Sequence, residues 1–410
     1  NPLEQNKRMN ILVLDTIHGG REISRHLTLL GHCVDSVDVY RDETDLTVED
    51  VKDRHYDLIV APVHLDRSHP LIETTTPVIS HHDAVRMILE QRGQIPFSMV
   101  EITGMQGKTT TARALAHLMK GPGILHTSAG VIQYPEQISI AKKSITPASV
   151  LFAAERANEI SGWLIVEESL GVSGSGSIGV LTSEKTYPVA KGTGDALTLK
   201  TESLARCETI VCAPDISWNL PQCIHAESIA TCEDVTCTTI WQGETTIFEN
   251  PLLLLTGYRA SLCTAAACAC VLGLDPAELA SFEAVRGRMS VAYIDKRCIV
   301  DNANSGTNAQ TTGDAASYAR KLTGTDDIVL VVGAEEKNIC EGFPESAIIS
   351  TIVATQPRQV ILVGAGYDAE FICAETGIQV QSAKTLDEGQ AMALQTPKTL
   401  PVVLAVKTWR

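Results

Sequence analysis

The residues best placed to do chemistry are Thr103-Gly104-Met105-Gln106-Gly107-Lys108-Thr109-Thr110. They follow the apolar run 97–102 and open a helical pattern over 112–119. A strand, a glycine turn and a helix start make a phosphate cradle, because backbone N–H groups converge where the helix dipole favours an anion. Lys108 would reach the outer phosphates of a nucleotide, and the Thr109 hydroxyl would meet its magnesium. The plainer alternative is a glycine turn before an ordinary helix. Further on, the strand-like run 163–166 ends in Glu167-Glu168-Ser169. A carboxylate at a buried strand end near such a loop is a magnesium ligand in many nucleotide enzymes, although it can also be a solvated strand end.

A second group of polar residues precedes the cradle. Asp15-Thr16-Ile17-His18-Gly19-Gly20 follows the strand pattern 10–14, and Ser80-His81-His82-Asp83 starts a helix over 84–90. Ligands of open parallel sheets collect beyond the carboxyl ends of strands, which makes Asp15, His18, Gly19 and His82 candidates to touch substrate. His18, His81 and Asp15 are candidate proton acceptors. Alternatively, Ser80 and Asp83 simply cap a helix and His18 bonds its own loop. The turn after 10–14 lacks the Gly-x-Gly-x-x-Gly pattern, so a nicotinamide cofactor is unsupported.

The elements that must position these residues fall into three blocks, 9–92, 93–284 and 285–410. Strand and helix patterns alternate in the first and last blocks, which predicts an α/β fold with parallel sheets and apolar strands covered on both faces. The Gly- and Ser-rich stretch 171–179 reads as a flexible segment over a site, and hinges are expected near 93 and 285.

Composition bounds the functions available. A chain of 410 residues with 44% hydrophobic content can bury several cores. The formal charge of −16 argues against a broad grip on nucleic acid, so any anionic substrate needs local positive groups. The 12 cysteines include no Cys-x-x-Cys pair, and Cys263, Cys268 and Cys270 read as small core residues. No run reaches the length of a membrane span and no signal-peptide order opens the chain, so a cytoplasmic protein without a membrane partner is expected. Residues 1–8 precede Met9 and read as an expression remnant outside the fold.

Taken together, these motifs resemble the Mur ligases and their folylpolyglutamate synthase relatives. The loop 103–110 is similar to that family's Thr-Gly-Thr-Asn-Gly-Lys-Thr-Thr, with Met105 and Gln106 as departures, and Glu167 with Ser169 matches its magnesium glutamate. Gly287-Arg288-Met289 resembles its junction into the last domain, and Asp301-Asn302-Ala303-Asn304-Ser305-Gly306 stands in place of its Asp-Tyr-Ala-His-Asn-Pro segment. The resemblance implies three domains: a Rossmann-like first domain, a central phosphate-loop ATPase domain and a Rossmann-like last one. It also implies ATP and Mg2+ as cofactors, Arg288 on the ATP phosphates and Asp301 on the ribose. Lys200 best matches the family's carbamylated lysine, with Lys191 as a rival. The family's adenine-side His-Asn-x-x-Asn is replaced by Tyr258-Arg259-Ala260-Ser261-Leu262, so base contacts do not carry over.

More narrowly, residues 14–20, 167–171, 301–306 and 406–410 resemble an archaeal branch of the family. That branch activates a propionate of a nickel tetrapyrrole seco-acid with ATP and closes it onto carbon. The small-molecule partner would then be the tetrapyrrole, with nickel entering only as part of it. An amide-forming ligase acting on an amino acid or amine, and an ATP-gated binding protein without catalysis, are the competing readings.

Overall fold

The computed structural model describes residues 8–40, 46–304, 306–335 and 343–408. Of the segments singled out above, residues 1–7, Ser305 and the closing Trp409-Arg410 lie outside the described residues. The chain forms two compact units, 1–280 and 281–410.

The first unit begins with a four-stranded parallel sheet in the order Cys33–Val37, Asn10–Leu14, Leu58–Ala61, Val78–Ser80. Ile11 to Leu14 and Leu58 to Ala61 are apolar and buried throughout, as a sheet covered on both faces requires. Helix His81–Arg92 starts at a capping box in which the Ser80 and Asp83 side chains satisfy each other's backbone amides. That helix packs on helix Pro147–Glu159 of the following block. Ile23, Leu27, Val85 and Leu89 share one core with Ile124, Ala148, Leu151 and Leu164. The joint expected near residue 93 therefore lies inside one unit. Opening it would expose side chains whose burial is worth roughly 1.5–3 kcal/mol each.

The central sheet has eight strands. Cys223–His225, Thr209–Cys212, Ile178–Leu181, Met99–Thr103, Trp163–Glu167 and Gly123–Thr127 are parallel in that spatial order, and Gly130–Tyr134 and Ile138–Ala141 continue it antiparallel. From Met99–Thr103 the chain first fills positions on one side and then crosses to the other. The carboxyl ends of Met99–Thr103, Trp163–Glu167 and Ile178–Leu181 thus meet at a switch point.

The stretch 171–179 differs from its expectation. Val172 and Ser173 are buried. The Ser173 and Gly176 amides donate to the Glu101 carboxylate at 2.9 and 2.7 Å, and the Val172 amide donates to Ser203 Oγ at 3.0 Å. Small residues here serve close packing on a buried carboxylate rather than a flexible cover.

The second unit carries a six-stranded sheet in the order Ser290–Ile294, Arg297–Asp301, Val402–Lys407, Val329–Ala334, Gln359–Val363, Val380–Ala383, parallel except for its first pair. The edge strand departs from the expected two-sided apolar pattern, because Gln381 and Ser382 face solvent where no further strand covers them. Among the described residues no cysteine is paired, and no helix is long and apolar enough to cross a membrane.

Candidate active site

At the switch point, strand Met99–Thr103 delivers the loop into helix Lys108–Leu118. Gly104 has φ +143°, and a Cβ there would lie 2.2 Å from Thr182 Oγ1. Gly107, at φ +84°, turns the chain into the helix. Thr182 Oγ1 lies 3.1 Å from the Thr103 carbonyl and 2.6 Å from the Gln106 carbonyl, clamping both ends of the turn from the next strand. The Gln106 side chain accepts from Lys185 Nζ at 3.0 Å.

Glu167 closes the cradle from the other side. Thr109 Oγ1 donates to Glu167 Oε2 at 2.8 Å, the Ser128 amide donates to the same oxygen at 3.2 Å, and Lys108 Nζ stands 3.8 Å from Oε1. Lys108 also donates to the Gly104 carbonyl at 3.0 Å. The hydroxyl and carboxylate read from the sequence as magnesium ligands are thus brought together beside the lysine. Their oxygen chemistry fits a hard divalent cation, and the glycine turn fits a phosphate group.

Lys200, on helix Ala196–Leu204, is buried, with its amine 5.4 Å from the centre of the Tyr187 ring. Burial, and then the nearby positive charge of Lys108, lower its pKa. An amine held back from protonation is the form that adds carbon dioxide. Lys191 instead lies exposed and 3.3 Å from Asp66. Lys108 supplies local positive charge within a chain whose overall charge repels anions.

Glu168 was not read from the sequence as functional. It is fully buried beside Glu101, and burial, followed by the Glu101 charge, raises its pKa well above the ordinary value. Glu101 itself accepts from the Ser173 and Gly176 amides. Ser128 and Thr182 were missed as well, since a lone Ser or Thr at a strand end carries no distinguishing pattern.

The second polar cluster gathers at the end of strand Asn10–Leu14. Asp15, with φ +69° and ψ +91°, is fully buried. Its Oδ1 accepts from the Ile17 and His18 amides at 3.0 and 3.1 Å, and its Oδ2 from His18 Nδ1 at 2.7 Å. His64, absent from the sequence reading, brings Nε2 to 3.6 Å from Asp15 Oδ2. His18, Tyr40 and His64 pack ring against ring, with centroids 5.1 to 5.9 Å apart. Burial and then the charges of Asp15 and Asp38 push the Tyr40 phenol up to about 12. Gly19, at φ +108°, packs against Ala148, where a Cβ would come within 2.5 Å of the alanine's.

His81 and His82 occupy a different setting from His18. Both are buried, His81 Nε2 bonds the Leu14 carbonyl at 2.9 Å, and His82 Nε2 bonds the Ser169 carbonyl at 3.2 Å. The first turn of one helix thereby ties the strand end carrying Asp15 to the strand end carrying Glu167. Burial pushes both imidazoles down from 6.5 to about 4. The unfolded chain therefore takes up these protons near pH 6.5 while the folded chain resists until about pH 4, so stability falls as pH drops through that window. At pH 5 each histidine should cost about 2 kcal/mol. Denaturant unfolding of the full chain at pH 7 and pH 5 checks this, with His82→Asn expected to flatten the pH dependence by about its share.

In the second unit, Asn304 Nδ2 donates to the Gly287 carbonyl at 2.6 Å, linking the Gly-Arg-Met junction to the Asp301 segment. Arg288 is exposed, and Asp301 Oδ1 accepts from the Ala303 amide at 3.0 Å.

Comparison with known proteins shows what the chain is similar to. Residues 291–408 match the family described as coenzyme F430 synthetase CfbE, C-terminal domain. A coenzyme F(430) synthetase of Methanosarcina acetivorans is 28% identical over 480 residues, covering 98% of this chain and 99% of its own. The chain is a relative of the coenzyme F430 synthetases. A second such synthetase, from Methanocaldococcus jannaschii, is 23% identical and covers 81% of this chain and 85% of its own. Among solved structures, a UDP-N-acetylmuramoyl-L-alanyl-D-glutamate--2,6-diaminopimelate ligase aligns over 99% of this chain and 88% of its own, at 14% identity and TM-score 0.58. A Yersinia pestis folylpolyglutamate synthase/dihydrofolate synthase, complexed with AMPPNP and manganese, covers 79% and 90% at 13% identity and TM-score 0.51. The relatives of F430 synthetase type and the Mur ligase fold agree with the resemblance carried by the loop, Glu167 and the Gly-Arg-Met junction.

Proposed function

We propose that the chain is an ATP-dependent cyclo-ligase that activates a propionate of a nickel tetrapyrrole seco-acid and closes it onto carbon, giving coenzyme F430. The observation that carries the phosphoryl-transfer half is the convergence of Lys108, Thr109 and Glu167 at the mouth of a glycine cradle. A carboxylate is a poor electrophile because its leaving group would be oxide. ATP therefore passes its terminal phosphoryl group to a carboxylate oxygen and ADP departs. Lys108 neutralises charge on the group in transit. Magnesium bound by Thr109 and Glu167 would supply further neutralisation there. Arg288 on the phosphates, Asp301 on the ribose, Thr103, Gly104, Gln106, Gly107 and Thr110 around the phosphates, and a carbamate on Lys200 are assigned from the family resemblance.

In the second half the carbon nucleophile displaces phosphate from the acyl phosphate and gives up its proton. Of the three candidate acceptors, His81 is engaged with a backbone carbonyl and Asp15 is enclosed by donors. His18 is half exposed with Nδ1 fixed on Asp15, which aims Nε2 outward as the acceptor. Asp15 and Gly19 share the turn that carries His18, whereas His82 lies on the Ser169 carbonyl.

The test is incubation with ATP, Mg2+ and the nickel seco-acid, following phosphate and the pigment spectrum together. The expected result is one phosphate per ring closed, with hydroxylamine diverting the intermediate to a hydroxamate. Absence of substrate-dependent phosphate rejects the assignment, and phosphate release driven by amino acids favours an amide ligase.

A further inference from the structure

We propose that Asp15, His18 and His64 form a binding site for a divalent transition-metal ion of the zinc, cobalt and nickel class. One ligand atom from each lies within 4.8 Å of the other two. The donor set, two imidazoles and a carboxylate, suits borderline ions and not magnesium or calcium, which prefer all-oxygen shells. Asp15 is prepared for the role. Its Oδ1 is held by two backbone amides, so the carboxylate is fixed and Oδ2 is directed at the two rings. The rings come from separate loops that meet only in the folded sheet, and Tyr40 packs against both.

The geometry needs one adjustment. Donors each about 2.1 Å from a tetrahedral ion stand about 3.4 Å apart. His64 Nε2 is already 3.6 Å from Asp15 Oδ2, whereas His18 Nδ1 is at 2.7 Å and must withdraw by roughly 0.7 Å. His18 has the freedom to do so, with its side chain 48% exposed, while Asp15 stays fixed. As the ion takes the Nδ1 lone pair, the ring proton moves to Nε2, and no net proton is lost. An ion here and proton acceptance by His18 Nε2 are therefore alternatives. Three adjacent donors suit an ion with three neighbouring positions open. A nickel held in a macrocycle offers only axial positions, so the occupant is the free aquo-ion. The inference requires no tetrapyrrole, so its test is independent of ring closure, while a bound ion takes His18 out of the proton-accepting role.

The experiment is titration of the full chain with Co2+ in the absence of ATP, with magnesium in excess to fill the oxygen site. The expected result is one cobalt per chain with visible ligand-field bands typical of nitrogen and oxygen donors. His64→Ala should weaken binding at least about tenfold, and so should Asp15→Asn, while Lys108→Ala should leave it unchanged. His64 is a peripheral member, so its variant keeps the test decisive should Asp15→Asn fold poorly. Failure to bind one equivalent, unchanged affinity in His64→Ala, or a spectrum dominated by thiolate charge transfer would each overturn the proposal.

Discussion

Lys108→Ala is expected to lower substrate-dependent phosphate release by roughly 10²–10³-fold, the loss typical of removing one preorganised group that faces developing charge. The lysine lies at the cradle with its amine 3.8 Å from Glu167 and 3.0 Å from the Gly104 carbonyl. Its charge is most valuable when the phosphoryl group is between donor and acceptor, so the loss should fall on kcat more than on the KM for ATP. The bond to Gly104 is a partly buried hydrogen bond worth about 1 kcal/mol, so the fold should survive. Single-turnover phosphate release alongside a thermal melt checks both parts. Release at the native rate would dismiss the mechanism.

The second large effect is expected from Glu167→Gln. This substitution keeps the size of the side chain and one acceptor oxygen, so the contacts to Thr109 and the Ser128 amide can survive. The negative charge is removed from a nearly fully buried position beside Lys108. If Glu167 holds magnesium, the Mg2+ concentration giving half-maximal activity should rise by at least 10–100-fold, and excess Mg2+ should restore part of the rate. A merely structural carboxylate would leave that midpoint in place. Titration of phosphate release against Mg2+ at saturating ATP separates the two.

Much of the architecture was legible because local physics and tertiary packing agreed. The capping box at Ser80 depends on residues three apart, and it forms as their spacing predicts. The phosphate loop was readable for the same reason. Its glycines, lysine and threonine are contiguous, and the backbone geometry they impose differs little from one host to another. The stretch 120–160, left without a reading, forms three strands and a helix. Its strands Gly130–Tyr134 and Ile138–Ala141 sit toward the sheet edge with mixed polarity, so neither a clean alternation nor an apolar run marks them. The buried loop at 171–179 was misread because Gly and Ser are equally suited to mobility and to close approach. Glu101, which fastens that loop, is some seventy residues earlier.

By itself the sequence determined the α/β class and singled out the glycine loop together with Thr109, Glu167 and Lys108, which the fold brings side by side. Those features rest on contiguous motifs or on a strand end whose apolar run is plain. Only the tertiary structure decided that the first block and the central sheet share one core, that His81 and His82 lock two strand ends together, and that His64 joins Asp15 and His18. Each of these depends on which strands lie side by side. Strand order is set by long-range burial of side chains far apart in the chain, and no local pattern of residues encodes it.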